Sequence, residues 1–267
     1  WWTTDVSVID LDKMKAYVPS NLSASQAEAE VNLGGDDVAT SSLLVQVNSE
    51  TAFLRVPDDV KAQGVIFCSL EEAVREHSSL VEKYLHKLVA PNTDKFAALH
   101  TALWSGGVLL YVPEGVTVDL PVHVVYQLTT PGAVALGHTL VVAEQGANVR
   151  YVEEFHSTYD EGQALHSGVV EVSVGENAKV EFTSMQEWNR NVFSFATRYA
   201  QVGKRGLMHW VIGEMGGKII EVAHNRLALD VPAKGAEFDV MIETRDAQHT
   251  QEIMDALREC GYPPRVV

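Results

Sequence analysis

Cysteine is scarce in this chain, and its two copies lie far apart. Cys68 and Cys260 form neither a CxxC pair nor a disulfide framework, a usage typical of proteins from a reducing compartment. No apolar run reaches the roughly 18 residues that a membrane-spanning helix needs, and no basic segment followed by an apolar one marks a secretory signal. We therefore expect a soluble, cytoplasmic protein with no membrane partner.

Basic residues are also few relative to acidic ones. The chain has 20 Lys and Arg against 36 Asp and Glu, a formal net charge of -16 at pH 7. Affinity for nucleic-acid phosphates comes largely from clustered Lys and Arg, so this balance argues against a nucleic-acid partner. Hydrophobic residues make up 46% of the 267 residues, which is enough to build a globular core without disulfide bonds.

A turn pattern recurs at regular intervals from Val108 onward. Strands rich in Val and Tyr alternate with tight turns whose fourth positions are Gly115, Gly146, Asn177 and Arg205, at intervals of 31, 31 and 28 residues. Gly and Asn accept the left-handed backbone that such turns often need, and Arg205 fits least well. An antiparallel sandwich would instead return at a hairpin spacing of about 8–12 residues. The constant period favours a β-solenoid of stacked coils.

The segments on either side of this repeat have a different pattern. Short strands and helices alternate in the first segment, with helices expected to begin at Ser69 and Asp94. The last segment is typical of two strands followed by a helix. The sequence thus predicts a mainly β protein in three parts, which are a mixed α/β region at residues 1–107, a β-helix core at 108–217 and a small α+β unit at 218–267.

Histidine and carboxylate side chains are the candidates for chemistry in the core. Stacked coils could bring His138, His156 and His166 together, which makes them better candidates for a metal or cluster site than the other histidines. His138 begins a strand motif and is expected to bond a neighbouring turn, so the metal candidates are His156 and His166, although packing roles are favoured for both. Surface or packing roles are expected for His77, His86, His100, His209 and His249. The pair Glu153 and Glu154 and the pair Glu171 and Glu181 could act as glycosidase carboxylates, but we interpret all four as solvated strand charges. The sequence has no HExxH motif and no glycine-rich phosphate loop. No catalytic residue is predicted.

Motifs in family order over roughly residues 1–217 resemble the SufB/SufD family. They are Asp5 with residues 11–12, GVIFCSLEEA (64–73), DKFAAL (94–99), Gly107 with YVPEGV (111–116), HTLVVAE (138–144), LHSGVVE (165–171), and QEWN (186–189) with FAT (195–197). The resemblance implies a right-handed parallel β-helix. It also implies a subunit, not itself an enzyme, that joins a SufB-like paralogue and a SufC-like ABC ATPase to assemble iron–sulfur clusters.

The resemblance further indicates which branch of the family the chain is close to. In the SufB branch a cysteine usually follows the strand that corresponds to residues 149–154, whereas this sequence has Glu154, Phe155 and His156 there. Thiolate is the ligand soft enough to hold nascent iron–sulfur species. The SufD-like branch is therefore expected, with no cofactor bound by the chain alone and a cluster present only within the assembled complex.

From about Lys218 the sequence resembles an ACT domain of the biosynthetic threonine dehydratase type. The matching motifs are IIEVAHNR (219–226), VPAKG (231–235), ETRD (243–246) and CGY (260–262). This resemblance implies amino-acid effector contacts at Gly216, His224 and Asn225. We favour capping of the solenoid or homodimerisation over effector sensing for this segment, because an open solenoid end exposes sheet edges and apolar surface.

Two alternatives to the SufD-like assignment follow from this tail. One is an amino-acid-binding regulatory module. The other is a chimeric or truncated chain without full SufD function, because a SufD-like protein is expected to continue with more coils and a helical ATPase-docking domain. A pyridoxal-phosphate enzyme is excluded, since no lysine stands in a Ser-Phe-Lys context. A solenoid polysaccharide lyase ranks third.

Overall fold

The computed structural model describes residues 7–31, 40–159, 161–214 and 251. These residues form five α-helices, a short 3-10 turn at Leu11–Lys13 and twelve strands. The helices are α1 (Ala24–Glu30), α2 (Asp58–Ala62), α3 (Leu70–Glu76), α4 (Ser78–Tyr84) and α5 (Lys95–Leu103). The strands are β1 (Ser42–Val47), β2 (Glu50–Arg55), β3 (Ile66–Ser69), β4 (Gly107–Val112), β5 (Val122–Leu128), β6 (Val134–Ala135), β7 (His138–Ala143), β8 (Asn148–Ser157), β9 (Ala164–Val174), β10 (Lys179–Glu187), β11 (Val192–Val202) and β12 (Leu207–Glu214).

From β4 onward, successive strands alternate between two sheets as in a β-helix, except that β6 and β7 lie in the same sheet. One sheet has the order β12-β10-β8-β5-β1-β2 and the other β11-β9-β7-β4-β3, with β6 also paired to β9. From β4 to β12, the paired strands of neighbouring coils are parallel. The predicted solenoid is therefore confirmed, and the sandwich alternative is wrong because the coils stack rather than form hairpins.

The recurring turns hold the coils together through their backbone. Gly115, Gly146, Asn177 and Arg205 all have a positive φ, between 56° and 71°. The amides of the first three each donate a hydrogen bond of 2.8–3.0 Å to a carbonyl oxygen of the same turn in the next coil. The turns thus form a ladder of their own beside the sheets.

Arg205 occupies the same left-handed position as the glycines, although its Cβ makes that conformation costly. Its Nε donates to Asn177 Oδ1 and its guanidinium also donates to Glu176 Oε1, both at 2.7 Å. These bonds to the preceding turn offset part of the backbone strain. Residue type alone indicated that Arg205 fits this position least well, and it gave no sign of the side-chain bonds.

The core lies between the two sheets and is built from alternate residues of each strand. In β8, Tyr151 and Phe155 point inward, and both are buried. Aromatic rings stack from coil to coil, with centroid separations of 4.6 Å for Tyr151 and Phe182 and 5.1 Å for Phe182 and Trp210. Such pairs each contribute roughly 0.5–1.5 kcal/mol beyond the burial of their area.

The N-terminal region closes one end of the coils and covers one sheet. β2 and β3 pair antiparallel with β1 and β4, whereas β1 pairs parallel with β5. Helix α3 begins at Ser69, whose hydroxyl accepts the amide of Glu72, and α5 begins at Asp94, whose carboxylate accepts two amides. Both predicted helix starts are confirmed, and this mixed α/β region precedes the coils as expected.

The last described strands show how far the solenoid extends. Strands β11 and β12 pair in parallel with β9 and β10, so residues 192–214 form a further coil rather than the start of an α+β unit. The predicted ACT-like strands and helix lie outside the described residues, as do Gly216, His224, Asn225 and Cys260. None of the described helices is long and apolar enough to cross a bilayer.

Candidate functional site

Glu153 is a carboxyl group buried inside the coil core. Its side chain points inward from β8, where it accepts hydrogen bonds from the hydroxyls of Ser184 at 2.8 Å and Thr139 at 3.3 Å. The guanidinium of Arg198 donates to the Ser184 oxygen at 3.3 Å. Burial raises the pKa of Glu153, and the charge of Arg198 and the hydroxyl bonds only partly oppose that rise. The interpretation of Glu153 as a solvated charge is wrong.

His166 is buried in the same interior, where its ring packs against those of Phe155 and Trp188. Ser194 donates its hydroxyl to Gln186 Oε1, which also accepts the indole N–H of Trp188. The Ser194 oxygen therefore accepts the Nδ1 proton of His166 at 2.8 Å, and Nε2 keeps its lone pair. Burial, with the charge of Arg198, lowers the pKa of His166 to about 3. His166 is thus a neutral imidazole at pH 7.

A small cavity separates these two groups. Its volume is about 20 Å³, which is room for roughly one water molecule. Both Glu153 and His166 line it, together with Tyr126, Trp188 and Arg198. The interior of the coils is therefore polar at its centre but too tightly packed for an organic substrate.

A second polar cluster lies on the outer face of the other sheet, under α5 and residues 86–89. His138 Nε2 contacts Glu171 Oε2 at 2.9 Å, and His138 Nδ1 lies 3.1 Å from His100 Nε2. The other nitrogen of His100, Nδ1, donates to the carbonyl oxygen of Ser167 at 2.9 Å. His100, His138 and Glu171 are fully buried. The solvated role expected for Glu171 is therefore wrong as well.

Backbone amides hold Glu171 in place. Its carboxylate accepts the N–H of His86 at 2.7 Å, of Leu88 at 2.6 Å and of Val89 at 2.9 Å. Burial by itself would raise the pKa of Glu171, but the hydrogen bond and charge of His138 and the amides of Leu88 and Val89 outweigh it and lower that pKa. Glu171 is a buried anion.

The two metal candidates from the sequence do not come together. His156 is half-buried on the outer face of β8 and contacts Glu154 and Glu187, each at 3.3 Å, and its bond to Glu154 raises its pKa. His166 points into the core instead. The coils do stack, but the two side chains lie on opposite faces of their strands. A metal role for either histidine stays a prediction.

The cluster of His86, His100, His138 and Glu171 was not predicted as a site from the sequence. His86 and His100 were expected in surface or packing roles. His138 was grouped with His156 and His166 but then interpreted as a partner of a neighbouring turn. One signal was present, because Glu171 interrupts an otherwise apolar strand segment and His138 stands at the start of another. Among the described residues these donors form a group able to hold a metal ion, namely His86, His138 and Glu171.

Cys68 is the cysteine within the described part of the chain, and it is buried. Burial, with the nearby charge of Glu72, raises the pKa of its thiol to about 12. A thiol with such a pKa is protonated near neutral pH and is a poor nucleophile or metal ligand. The interpretation of Cys68 as a small buried hydrophobic residue is confirmed.

Two family models match adjacent parts of the chain. Residues 37–124 match the SufBD protein N-terminal region, and residues 126–255 match the SufBD core domain of SUF system FeS cluster assembly. The second match extends over most of the segment that resembles an ACT domain. The comparisons give no support to an ACT-like unit.

Curated relatives are similar over nearly the whole chain. An iron–sulfur cluster assembly SufBD family protein of Staphylococcus epidermidis is 30% identical over 256 residues, which cover 91% of this chain and 55% of the relative. A SufBD family protein of Staphylococcus aureus is 30% identical over 251 residues, which cover 90% of this chain and 54% of the relative. The chain thus spans about half the length of the curated relatives that it matches.

Proposed function

Since the chain belongs to the SufBD family of iron–sulfur cluster assembly proteins, we propose that it acts as a SufD-like accessory subunit. In this role it joins a SufB-like paralogue and a SufC-like ABC ATPase in one complex. It contributes surface and shape to that complex and has no catalytic activity of its own. The iron–sulfur cluster is the product of the complex and is held chiefly by the paralogue.

The observation that carries the proposal is the side chain at residue 155. The resemblance places the SufB-branch cysteine just after residue 154, and this chain has Phe155 there, packed in the core against the rings of Tyr126 and Trp188 at 4.7 Å and 5.4 Å. A phenyl ring offers no ligand to iron, whereas clusters are held mainly by thiolates. The core is therefore filled by packing at the position where the scaffold branch has a ligand.

The character of the interior gives further support. Its cavity of about 20 Å³ admits about one water molecule, so it does not have the concave site of several hundred Å³ that small-molecule enzymes usually present. Cys68, with its pKa of about 12, is unsuited to sulfur transfer at neutral pH. Both features favour a role through protein contacts.

The experiment is co-purification with the two proposed partners. The tagged full chain is expressed with the SufB-like paralogue and the SufC-like ATPase of its own organism, and with each of them alone. We expect a complex that contains all three proteins. Retention of neither partner, with both present and folded, would contradict the proposal.

A second measurement separates the accessory role from that of a scaffold. The isolated chain is mixed with iron, sulfide and a thiol reductant, and the visible absorption of an iron–sulfur cluster is recorded before and after gel filtration. We expect no stable cluster on the chain alone and a cluster on the complete complex. The SufB-like paralogue alone serves as the control.

The amino-acid-binding alternative stays a prediction. Its proposed contacts, Gly216, His224 and Asn225, lie outside the described residues, and the core-domain match covers all three. Calorimetry of the full chain with isoleucine and valine tests it. An absence of heat and of a thermal shift would remove it.

A further inference from the structure

We propose that His86, His138 and Glu171 form a binding site for one divalent transition-metal ion. The site lies between the outer face of the sheet that contains β7 and β9 and the segment between α4 and α5. It is separate from the interior of the coils. The proposal does not depend on the function proposed above.

The donor atoms are already gathered closely enough for coordination. One ligand atom from each of the three side chains lies within 4.8 Å of the others, and His138 Nε2 is 2.9 Å from Glu171 Oε2. Ligands arranged tetrahedrally at about 2.0–2.1 Å from a zinc ion are roughly 3.4 Å apart. Shifts of about an ångström would therefore complete the arrangement.

The hydrogen bonds around His138 direct its Nε2 towards the site. The carbonyl oxygen of Ser167 can only accept, so His100 Nδ1 carries the proton between them and Nε2 of that ring carries the lone pair. His138 Nδ1 must then donate to His100. A metal-binding histidine commonly donates its second ring nitrogen to a neighbouring acceptor in this way, which fixes its tautomer and orientation.

The packing around His100 keeps it in the role of acceptor. Its ring is fully buried, and both of its nitrogens are bonded, Nδ1 to the carbonyl oxygen of Ser167 and Nε2 to His138. The chain from Ser167 through His100 to His138 is thus set before any metal arrives.

Glu171 is held as an anion with a fixed orientation. Three backbone amides donate to its two oxygens, and charge-assisted bonds of this kind fix the carboxylate plane. Each oxygen of an ionised carboxylate has two lone pairs. Metal coordination replaces the proton that His138 Nε2 shares with Glu171, and that proton passes to solvent.

An ordinary buried ion pair between His138 and Glu171 does not explain the position of His86. Its Nδ1 is buried and has no hydrogen-bond partner, which is unfavourable unless a ligand or ion occupies that place. Its backbone has a φ of 56°, a strained conformation for a residue with a Cβ. That conformation puts its amide on Glu171 and its ring 4.9 Å from the His138 ring. Such strain is concentrated at functional sites.

The ligand set indicates the class of metal. Two imidazole nitrogens and one carboxylate suit Zn²⁺, Co²⁺ or Fe²⁺, whereas Mg²⁺ and Ca²⁺ prefer all-oxygen sites. Three protein ligands leave the fourth position of such an ion to water. A cavity of about 130 Å³ adjoins Glu171 on the side of Lys83 and Lys87, and neither His86 nor His138 lines it.

The test uses Co²⁺ as the probe, because its visible absorption reports the coordination geometry. The full chain is stripped with a chelator, dialysed and titrated with cobalt chloride, and Zn²⁺ is then added as a competitor. We expect one equivalent of Co²⁺ to bind with tetrahedral-type absorption and to be displaced by Zn²⁺. The variant His86→Ala is expected to bind Co²⁺ about tenfold more weakly or worse.

The choice of variants separates a metal site from a structural ion pair. His86 makes no side-chain hydrogen bond through Nδ1, so His86→Ala is expected to keep its circular dichroism spectrum and its cooperative unfolding. The matched control is His156→Ala, which removes another half-buried histidine next to two carboxylates and should leave Co²⁺ binding unchanged.

Three results would overturn the proposal. They are no saturable Co²⁺ binding to the wild-type chain, equal binding by His86→Ala, or loss of binding in His156→Ala. In the first two cases the His138–Glu171 contact is structural only, and in the third the ion binds on the opposite sheet. Glu171→Gln, if it folds, gives an independent check, since it removes the anionic ligand.

Discussion

A carboxyl group removed from water is costly to ionise unless strong donors replace its hydration, and the Glu153 carboxyl is bonded by the hydroxyls of Ser184 and Thr139. It is fully buried next to Tyr151 and Phe155 on β8. Glu171 is equally buried, yet its pKa moves in the opposite direction because His138 and the amides of Val89 and Leu88 donate to it. At the scale of single residues, local hydrogen-bond donors decide which buried acid remains charged.

The raised pKa of Glu153 leads to a prediction about pH and stability. Because the pKa of Glu153 is higher in the folded protein than its ordinary value of 4.5, the free energy of unfolding is largest below pH 4.5. It then falls as the pH rises from 4.5 through the pKa of the folded state. Glu153→Gln removes this loss, so the variant should be more stable than wild type at pH 8. The difference should disappear below about pH 4.5. Urea unfolding at several pH values measures it.

The control for this prediction is Glu181→Gln on the outer face of β10. Its hydrogen bond with Lys179 lowers the pKa of Glu181, so the sign is reversed and the variant should gain nothing at pH 8. A Glu153→Gln protein that is less stable than wild type at pH 8 would mean that the ionised carboxylate is favourable in the core.

At the scale of the elements, the turns depend on glycine for two separate reasons. Gly115 needs its left-handed backbone, with φ of 71°, and a Cβ there would meet nothing within 4 Å. Gly175 has an ordinary φ, but a Cβ there would come within 2.7 Å of backbone atoms of Glu144 and Gln145 in the previous coil. One position is fixed by conformation and the other by close contact between coils.

These two reasons predict different costs for the same substitution. Gly115→Ala should lower the free energy of unfolding by about 1–2 kcal/mol through backbone strain alone. Gly175→Ala should cost about 1–3 kcal/mol, because the neighbouring turn must move, and it should also disturb amide exchange at residues 144–146. Hydrogen exchange measured by mass spectrometry distinguishes the two. Undisturbed exchange at residues 144–146 in Gly175→Ala would contradict the close-contact argument.

At the scale of the whole molecule, the coils form a stack in which each depends on its neighbours. Phe182 lies between Tyr151 and Trp210, in the middle of an aromatic row that crosses three coils. A substitution at one core position of the stack is therefore expected to affect several strands. The family models also describe most of the molecule, because their two matches together cover the N-terminal region and the coils.

Phe182→Ala should destabilise the protein by about 3–5 kcal/mol, because it leaves a cavity inside the stack. Tryptophan fluorescence and circular dichroism, followed together in urea, should give one coincident transition at a lower midpoint. Val202→Ala is the control, since Val202 is 44% exposed and should change stability by no more than about 0.5 kcal/mol. Separate transitions for the two probes would show that the coils unfold independently.

Much of the fold could be predicted from local signals. The period of Gly115, Gly146 and Asn177 indicated the coils, since left-handed turn residues are chosen by their own backbone requirements. Ser69 and Asp94 marked helix starts for the same reason. The metal candidates His156 and His166 were not brought together, because the period of the turns does not tell which face of a strand each side chain occupies.

The sequence by itself determined the features that depend on neighbours along the chain: the recurring turns, the helix caps and the family motifs. Only the tertiary structure decided which polar residues became buried partners. His100 reaches His138 across 38 positions, and the amides of residues 86, 88 and 89 reach Glu171 across 82 to 85 positions. The physical reason is that such contacts arise where a loop and a helix cover the outside of a sheet, and no local preference of either segment specifies that docking.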